Sequence, residues 1–111
     1  MADMSESAIE YAIIHNELAG QWEARLKEPA TENGLGSVIG YIAYDILDDT
    51  FMLTHTTVKE QYRGKGIAEE LVRTALDEIA AARKTVIPLC SYAQAYIEKN
   101  PRYASLVAAE N

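Results

Sequence analysis

Cysteine is nearly absent from this chain: its 111 residues include one, Cys90. A single thiol cannot close an intramolecular disulfide or build a thiolate-rich zinc site, so the chain reads as cytoplasmic. Histidine is limited to His15 and His55. With scattered carboxylates they show no ligand spacing, and no metal is expected. Bases are outnumbered by acids, ten to seventeen, for a formal charge of −7. That balance excludes sequence-independent nucleic-acid binding, which needs a cationic footprint. Long apolar runs are missing too. No stretch approaches the roughly 18 residues of a membrane span, so no membrane partner is expected. The opening Met-Ala-Asp-Met-Ser-Glu-Ser has no basic cluster and no apolar run, so no secretory leader is expected there.

What remains is an ordinary globular composition, 49% hydrophobic, which excludes wholesale disorder. The length fits one domain over residues 1–111. A core this small leaves room for a ligand or a second copy to add stability, and a monomer or weak homodimer is expected. Charge is uneven along the chain. Through Tyr62 there are eleven acids and three bases, whereas from Arg63 onward there are six acids and seven bases. The first half can attract a cation while the second tolerates an anion.

The patterning divides the chain in the same place. Ile9 to Asn16 and Gln21 to Lys27 read as strands; in the second, Trp22, Ala24 and Leu26 alternate with charged neighbours. Glu28 to Gly36 is a loop, and Ser37 to Leu47 with Thr50 to Val58 forms a hairpin across Asp48-Asp49. Aspartates are weak hairpin residues because neither takes positive φ freely. From about Gly64 to Ala82 the period changes, with Ile67, Leu71, Ala75, Leu76 and Ile79 at helical spacing. Thr85 to Leu89 is a short strand, and a helix from about Tyr92 to Lys99 follows, with Ser91 and Gln94 as a capping box. Asn100-Pro101 stops it. The order β-β-β-β-α-β-α predicts an α+β fold with a mixed sheet, an antiparallel meander followed by a β-α-β crossover.

The chemically informative stretch is Val58-Lys-Glu-Gln-Tyr-Arg-Gly-Lys-Gly-Ile-Ala68 at the strand-to-helix junction. Gly64 and Gly66 let the backbone turn tightly. The amides from Gly64 to Ala68 open a helix and lack intrahelical partners, and Arg63 and Lys65 add cations. Such a helix start favours phosphate. It is not a Walker loop, since no Gly-Lys-Ser/Thr follows the strand. Gly34-Leu-Gly36 is a decoy, because a strand follows it rather than a helix.

Arg63-Gly-Lys-Gly66-Ile-Ala68 resembles the Arg/Gln-x-x-Gly-x-Gly/Ala signature of GNAT N-acetyltransferases. His55-Thr-Thr-Val58 before it, and Pro88-Leu-Cys90, Tyr96-Ile97 and Pro101-Arg-Tyr103 after it, resemble a small single-domain subgroup with a Pro-x-Cys motif. The resemblance covers about Ile9 to Val107. It implies a minimal GNAT-like fold lacking the helices between the first two strands. It also implies acetyl-CoA as co-substrate, its pyrophosphate on Arg63, Gly64, Lys65, Gly66, Ile67 and Ala68. The pantetheine arm would pair with the backbone of Thr56, Thr57 and Val58, in a gap where Pro88, lacking an N–H, weakens ladder pairing.

The resemblance places the subgroup's distinctive cysteine at Cys90, near the cofactor thiol. A helix N-terminus there favours thiolate. His55 can serve as a base because imidazole titrates near neutral pH, and Tyr96 falls where many members hold an acid toward the sulfur. Thr57 departs from the pattern: the subgroup commonly has glutamate there, and a hydroxyl cannot act as a base at neutral pH. Tyr92 and Trp22 are weaker site candidates than core residues. The expectation is an N-acetyltransferase acting on a small amine or a lysine side chain, either directly or through Cys90. The alternative is an acyl-CoA binding module with little turnover.

Overall fold

The computed structural model describes residues 9–108. The opening heptapeptide and both ends of the expected domain lie outside them. Five strands form one sheet in sequence order: β1 (Tyr11–Asn16), β2 (Gln21–Lys27), β3 (Leu35–Leu47), β4 (Thr50–Val58) and β5 (Thr85–Pro88). The first four pair antiparallel, and β5 joins β4 in parallel. Helix α1 (Ile67–Ala81) makes the crossover, α2 (Ser91–Lys99) follows β5, and a 3-10 turn spans Pro101–Leu106. The meander, the crossover and the mixed sheet are those expected from the patterning.

Helix α1 lies over one sheet face. Its Ile67, Leu71, Val72, Ala75, Leu76 and Ile79 are buried against Trp22, Ala24, Ile42, Leu53 and Val86. Each of the isoleucine, leucine and valine side chains among them contributes about 1.5–3 kcal/mol by leaving water. Polar clasps fix the docking. Trp22 Nε1 donates to Glu78 at 2.8 Å, and Tyr103 OH donates to Asp77 at 2.7 Å. Tyr11 donates to Glu70. Burial first, then its contact with Asp77, pushes the Tyr103 phenol up to about 12.

Several boundaries depart from the sequence reading. Strand β3 begins at Leu35 rather than Ser37, and α1 begins at Ile67 rather than near Gly64. The first helical bond runs from Glu70 N–H to Gly66 O, so the two glycines form a turn ahead of the helix. Asp48 does adopt positive φ, at 57°, which closes the two-residue hairpin without glycine. The capping box is absent. Cys90 occupies the N-cap and its Sγ accepts from Ala93 N–H, while Gln94 Nε2 donates back to Pro88 O. Serine is the better capping residue by type, but the chain leaves β5 one residue too early for Ser91 to take that position.

Register shifts in two ladders set which residues face which way. In the β3–β4 ladder, Ala43 pairs with His55 and Tyr44 with Leu53, so Thr54 is the extra residue. A one-residue insertion reverses the alternation of everything beyond it. Thr56 and Val58 therefore share the α1 face with Leu53, and His55 and Thr57 face the other way. In the β2–β3 ladder the register shifts twice, at Ile39 between the Ala24–Gly40 and Arg25–Val38 pairs and again before Lys27 pairs with Leu35.

Candidate functional site

Strands β4 and β5 part company halfway along β4. Their pairing runs from Thr50 with Thr85 to Leu53 with Pro88 and stops. Leu53 O then accepts from both Leu89 N–H at 2.9 Å and Cys90 N–H at 3.0 Å. This pins the closed end of a wedge whose open side is the stretch Thr54–Val58. Lys59 N–H donates to Ile39 O on the β3 side. Backbone groups alternate along a strand, so those of Thr56 and Val58 point into the gap; Val58 O there already accepts from Arg63 Nε, which leaves the Val58 N–H and the Thr56 groups facing it. Buried or half-buried backbone groups need partners, and a ligand lying along the gap would supply them.

At its wide end the wedge meets the glycine turn. A cleft of about 410 Å³ is lined by Thr56, Thr57, Val58, Tyr62, Arg63, Gly64, Gly66, Ile67, Ala68 and Tyr92. Gly64 and Gly66 hold φ of +79° and +83°, and a Cβ on either would meet no atom within 4 Å. Glycine is required there by backbone conformation, and the space above it stays open. The N–H groups of Ile67, Ala68 and Glu69 occupy the first helical turn, where intrahelical acceptors do not exist. Arg63 is anchored by its Nε, which donates to Val58 O at 3.0 Å. Its guanidinium is thereby tied to the end of β4 and lines the same cleft as the start of α1.

Eight of the nine residues assigned to phosphate and arm binding on sequence grounds line this cleft. Lys65 does not; it is exposed. Cys90 sits at the closed end, half-buried, with Sγ 3.3 Å from Thr56 Oγ1 and 3.4 Å from Ala93 N. His55 is exposed on the sheet face away from α1. Tyr96 is not brought to the cleft. It is buried against the Tyr103 ring, with centroids 5.9 Å apart, because helical spacing turns it toward the core with Ala93 and Ile97. Tyr92, four positions earlier, lines the cleft instead. Burial first, then Glu69, raises its phenol above the ordinary tyrosine value. Trp22 is core, 1% exposed. No group of three or more potential metal ligands occurs among the described residues.

A family profile described as GCN5-related N-acetyl-transferase matches residues 29–106, most of the chain and all of the wedge. The chain belongs to that family. Among curated relatives, Protein NATD1 of Gallus gallus is 38% identical over 61 residues, 55% of this chain and 52% of that protein. Its Xenopus tropicalis counterpart is 36% identical over 52 residues, 47% of this chain and 48% of the relative. The chain spans about half the length of the curated relatives it matches. Among solved structures, a GCN5-like protein of Staphylococcus aureus aligns with a TM-score of 0.63 at 20% identity over 90% of each chain. The ribosomal-protein-S18-alanine N-acetyltransferase of Escherichia coli aligns at 0.52 and 15% identity, over 88% of this chain and 57% of the enzyme. At such identities these likenesses concern the fold alone. They match the GNAT-like α+β sheet expected from the sequence.

The reading of the sequence missed the open sheet face. Gln21, Glu23, Tyr41, Ala43, His55 and Thr57 share it by register. Glu23 lies there 3% exposed, held by Asn16 Nδ2 at 2.9 Å, Gln21 Nε2 at 2.7 Å and Arg25 Nε at 2.9 Å. Burial pushes this carboxyl up, but the hydrogen bonds from Gln21, Arg25 and Asn16 outweigh it and hold its pKa below the ordinary value. A glutamate alternating in a polar strand gave no sequence signal of burial.

Proposed function

We propose that this chain is an acetyl-CoA-dependent N-acetyltransferase that moves an acetyl group to an amine, either a small amine or a lysine side chain. The observation that carries the reading is the wedge between β4 and β5, which opens onto the Arg63–Ala68 turn. The pyrophosphate would rest on the free amides of the first helical turn, with Arg63 supplying charge-assisted hydrogen bonds. The pantetheine arm would pair with the backbone of Thr56 and Val58 in the gap, the Tyr92 ring forming one wall. That arrangement carries the thioester toward Cys90.

Cys90 is the group we assign to acyl transfer. Its Sγ attacks the thioester carbonyl, the carbon–sulfur bond to the cofactor breaks, and the cofactor leaves as its thiolate. The Thr56 hydroxyl lies within reach to relay the thiol proton toward that leaving sulfur. The amine then attacks the acyl-cysteine: its lone pair forms the new bond to the acyl carbon, the carbon–sulfur bond to Cys90 breaks, and the proton shed by the nitrogen passes through the Thr56 hydroxyl to the leaving sulfur, regenerating the Cys90 thiol. Thr57 stands where a carboxylate base would be expected, which leaves His55 as the base on that face. A lone, reduced thiol in this role suits the cytoplasm.

The second reading is an acyl-CoA binding module with little turnover. It is favoured by the cleft lining, which contains no carboxylate. Intact-mass and product analysis with acetyl-CoA and an amine panel separates the two. Acetylated amine formed by the wild type, and lost in Cys90→Ala while the acetyl-CoA thermal shift persists, supports transfer through the thiol. Product formation that survives in Cys90→Ala makes transfer direct. A thermal shift with no product from any amine leaves the binding module.

A further inference from the structure

The sheet ends in β5 on one side and β1 on the other. β5 is four residues long and finishes in Pro88. Its outer side is taken by the C-terminal segment: Val86 bridges to Val107 in parallel, and Ala108 N–H donates to Val86 O at 2.9 Å. β1 is built differently. Its six residues, Tyr-Ala-Ile-Ile-His-Asn, contain no lysine, no proline and no carboxylate, and its ladder with β2 runs without a register shift. Charge, proline, bulges and covering segments are the devices that keep strand edges from pairing. Among the described residues β1 has none of them. We propose that β1 pairs with the β1 of a second copy of this chain, antiparallel about a twofold axis, so that two sheets join into one. This inference does not depend on the acetyltransferase reading.

The β1–β2 ladder fixes which backbone groups are available. Glu10 O accepts from Lys27 N–H at 3.0 Å, in step with the Tyr11–Leu26 pair. Hydrogen-bonded and non-hydrogen-bonded pairs alternate along an antiparallel ladder. Ala12, Ile14 and Asn16 therefore turn their backbone groups to β2, and Tyr11, Ile13 and His15 turn theirs outward. A twofold axis at Ile13 sets Ile13 opposite Ile13 of the second copy, and Tyr11 opposite its His15. Each of these pairs joins outward groups to outward groups and exchanges two N–H to O=C bonds. A slip of one residue would set Ile13 against Ile14, whose backbone is already bonded to β2.

The side chains agree with that register. On the α1 face, Ile13 is half-buried and packs against the core, and the twofold brings two such isoleucines together. On the open face, Ala12 stands opposite Ile14, so a small residue meets a large one on each side of the axis. The carboxylates are kept out of direct opposition, because Glu10 falls opposite Asn16. A contact of this kind is isologous: the same surface serves both copies, and it closes at two. Each copy carries a charge of −7, so long-range repulsion opposes the approach and salt relieves it. One strand pair is a small interface, and the association is weak.

The test is sedimentation velocity of the full chain over a range of concentrations in low and moderate salt. Mass should rise from monomer to dimer with concentration and go no higher, and the association should tighten at least about threefold with added salt. Ala12→Glu sets two new carboxylates diagonally across the axis and should weaken association at least about tenfold, while its circular dichroism and cooperative melting match the wild type. Cross-linking reads the register directly. Ala12 and the second copy's Ile14 form a non-hydrogen-bonded pair, with Cα atoms about 4.5 Å apart, within the reach of a disulfide. Ala12→Cys mixed with Ile14→Cys, each on a Cys90→Ala background, should therefore oxidise to a linked dimer at least about tenfold faster than either variant alone. A wild type that stays monomeric at every concentration overturns the proposal; the chain's own N-terminal segment, or a different protein, would then be what covers this edge. A dimer that Ala12→Glu leaves intact, or that the mixed cysteines do not link, overturns it as well.

Discussion

Replacing Gly66 with alanine separates the backbone from the ligand. Gly66 holds φ of +83° with open space where a Cβ would go. An L-residue in the left-handed region costs about 1–2 kcal/mol, and the stiffer unfolded chain returns about 0.4–1 kcal/mol. The apo protein should therefore lose about 1 kcal/mol, a fall in Tm of about 4–8 °C for a chain of this size. Gly34→Ala is the matched control. Gly34 has φ of +75° and equally open space, but it lies in the loop before β3, away from the cleft. Both variants should lose similar stability without ligand. Acetyl-CoA at a hundred times Kd should restore about 2.7 kcal/mol to wild type and to Gly34→Ala. In Gly66→Ala the new methyl group stands where phosphate must approach the helix amides, and most of that gain should vanish. The assay is differential scanning fluorimetry with and without acetyl-CoA. Equal ligand shifts in all three proteins would falsify the assignment of phosphate to this turn.

Glu23→Gln removes a carboxylate whose folded pKa is lower than its unfolded one. A depressed carboxylate adds stability above its unfolded pKa, near 4.5, and loses it as pH falls through the lower folded value. Wild type should therefore lose stability from about pH 5 downward more steeply than Glu23→Gln, measured by urea unfolding across pH. Parallel pH curves would show that the hydrogen bonds to Glu23 do not lower its pKa in the folded state. Tyr103→Phe deletes the hydroxyl that donates to Asp77. It should cost about 1–2 kcal/mol without changing the acetyl-CoA shift, because that clasp fastens the C-terminal turn to α1 on the side remote from the cleft. A lost ligand shift in this variant would tie the C-terminal turn to the site.

Much of the fold was legible because burial periods are local. Trp22, Ala24 and Leu26 alternate, and Leu71, Ala75 and Ile79 recur at helical spacing, wherever the elements finally pack. The glycine turn ahead of α1 was legible for the same reason: its two glycines, its cations and the first helix amides all fall within a few residues of one another. Element boundaries near it were less so. Whether a glycine turn belongs to the helix depends on which carbonyl the first amide finds, and here Glu70 finds Gly66.

The choice between tyrosines at the cleft was not legible. Tyr92 and Tyr96 are one helical turn apart and chemically alike. The docking of α2 on the core decides which is buried, and that docking depends on Tyr103, outside the helix. The N-cap shows a similar limit. Ser91 is the better cap by residue type, yet the exit of β5, tied by two amides to Leu53 O, makes Cys90 the cap and sets its sulfur beside Thr56.

By itself, the sequence determined the order of the elements, the apolar faces, the glycine turn and the single thiol, because each is written in neighbouring residues. Tertiary structure decided the rest. One extra residue at Thr54 turned Thr56 toward Cys90 and left His55 and Thr57 on the opposite face. The short register of β5 opened the wedge. Glu23 became a buried carboxylate only when Asn16 from the neighbouring strand and Gln21 and Arg25 from its own converged on it. These outcomes depend on pairing register across strands, and a register summed over many weak contacts has no local signature in the chain.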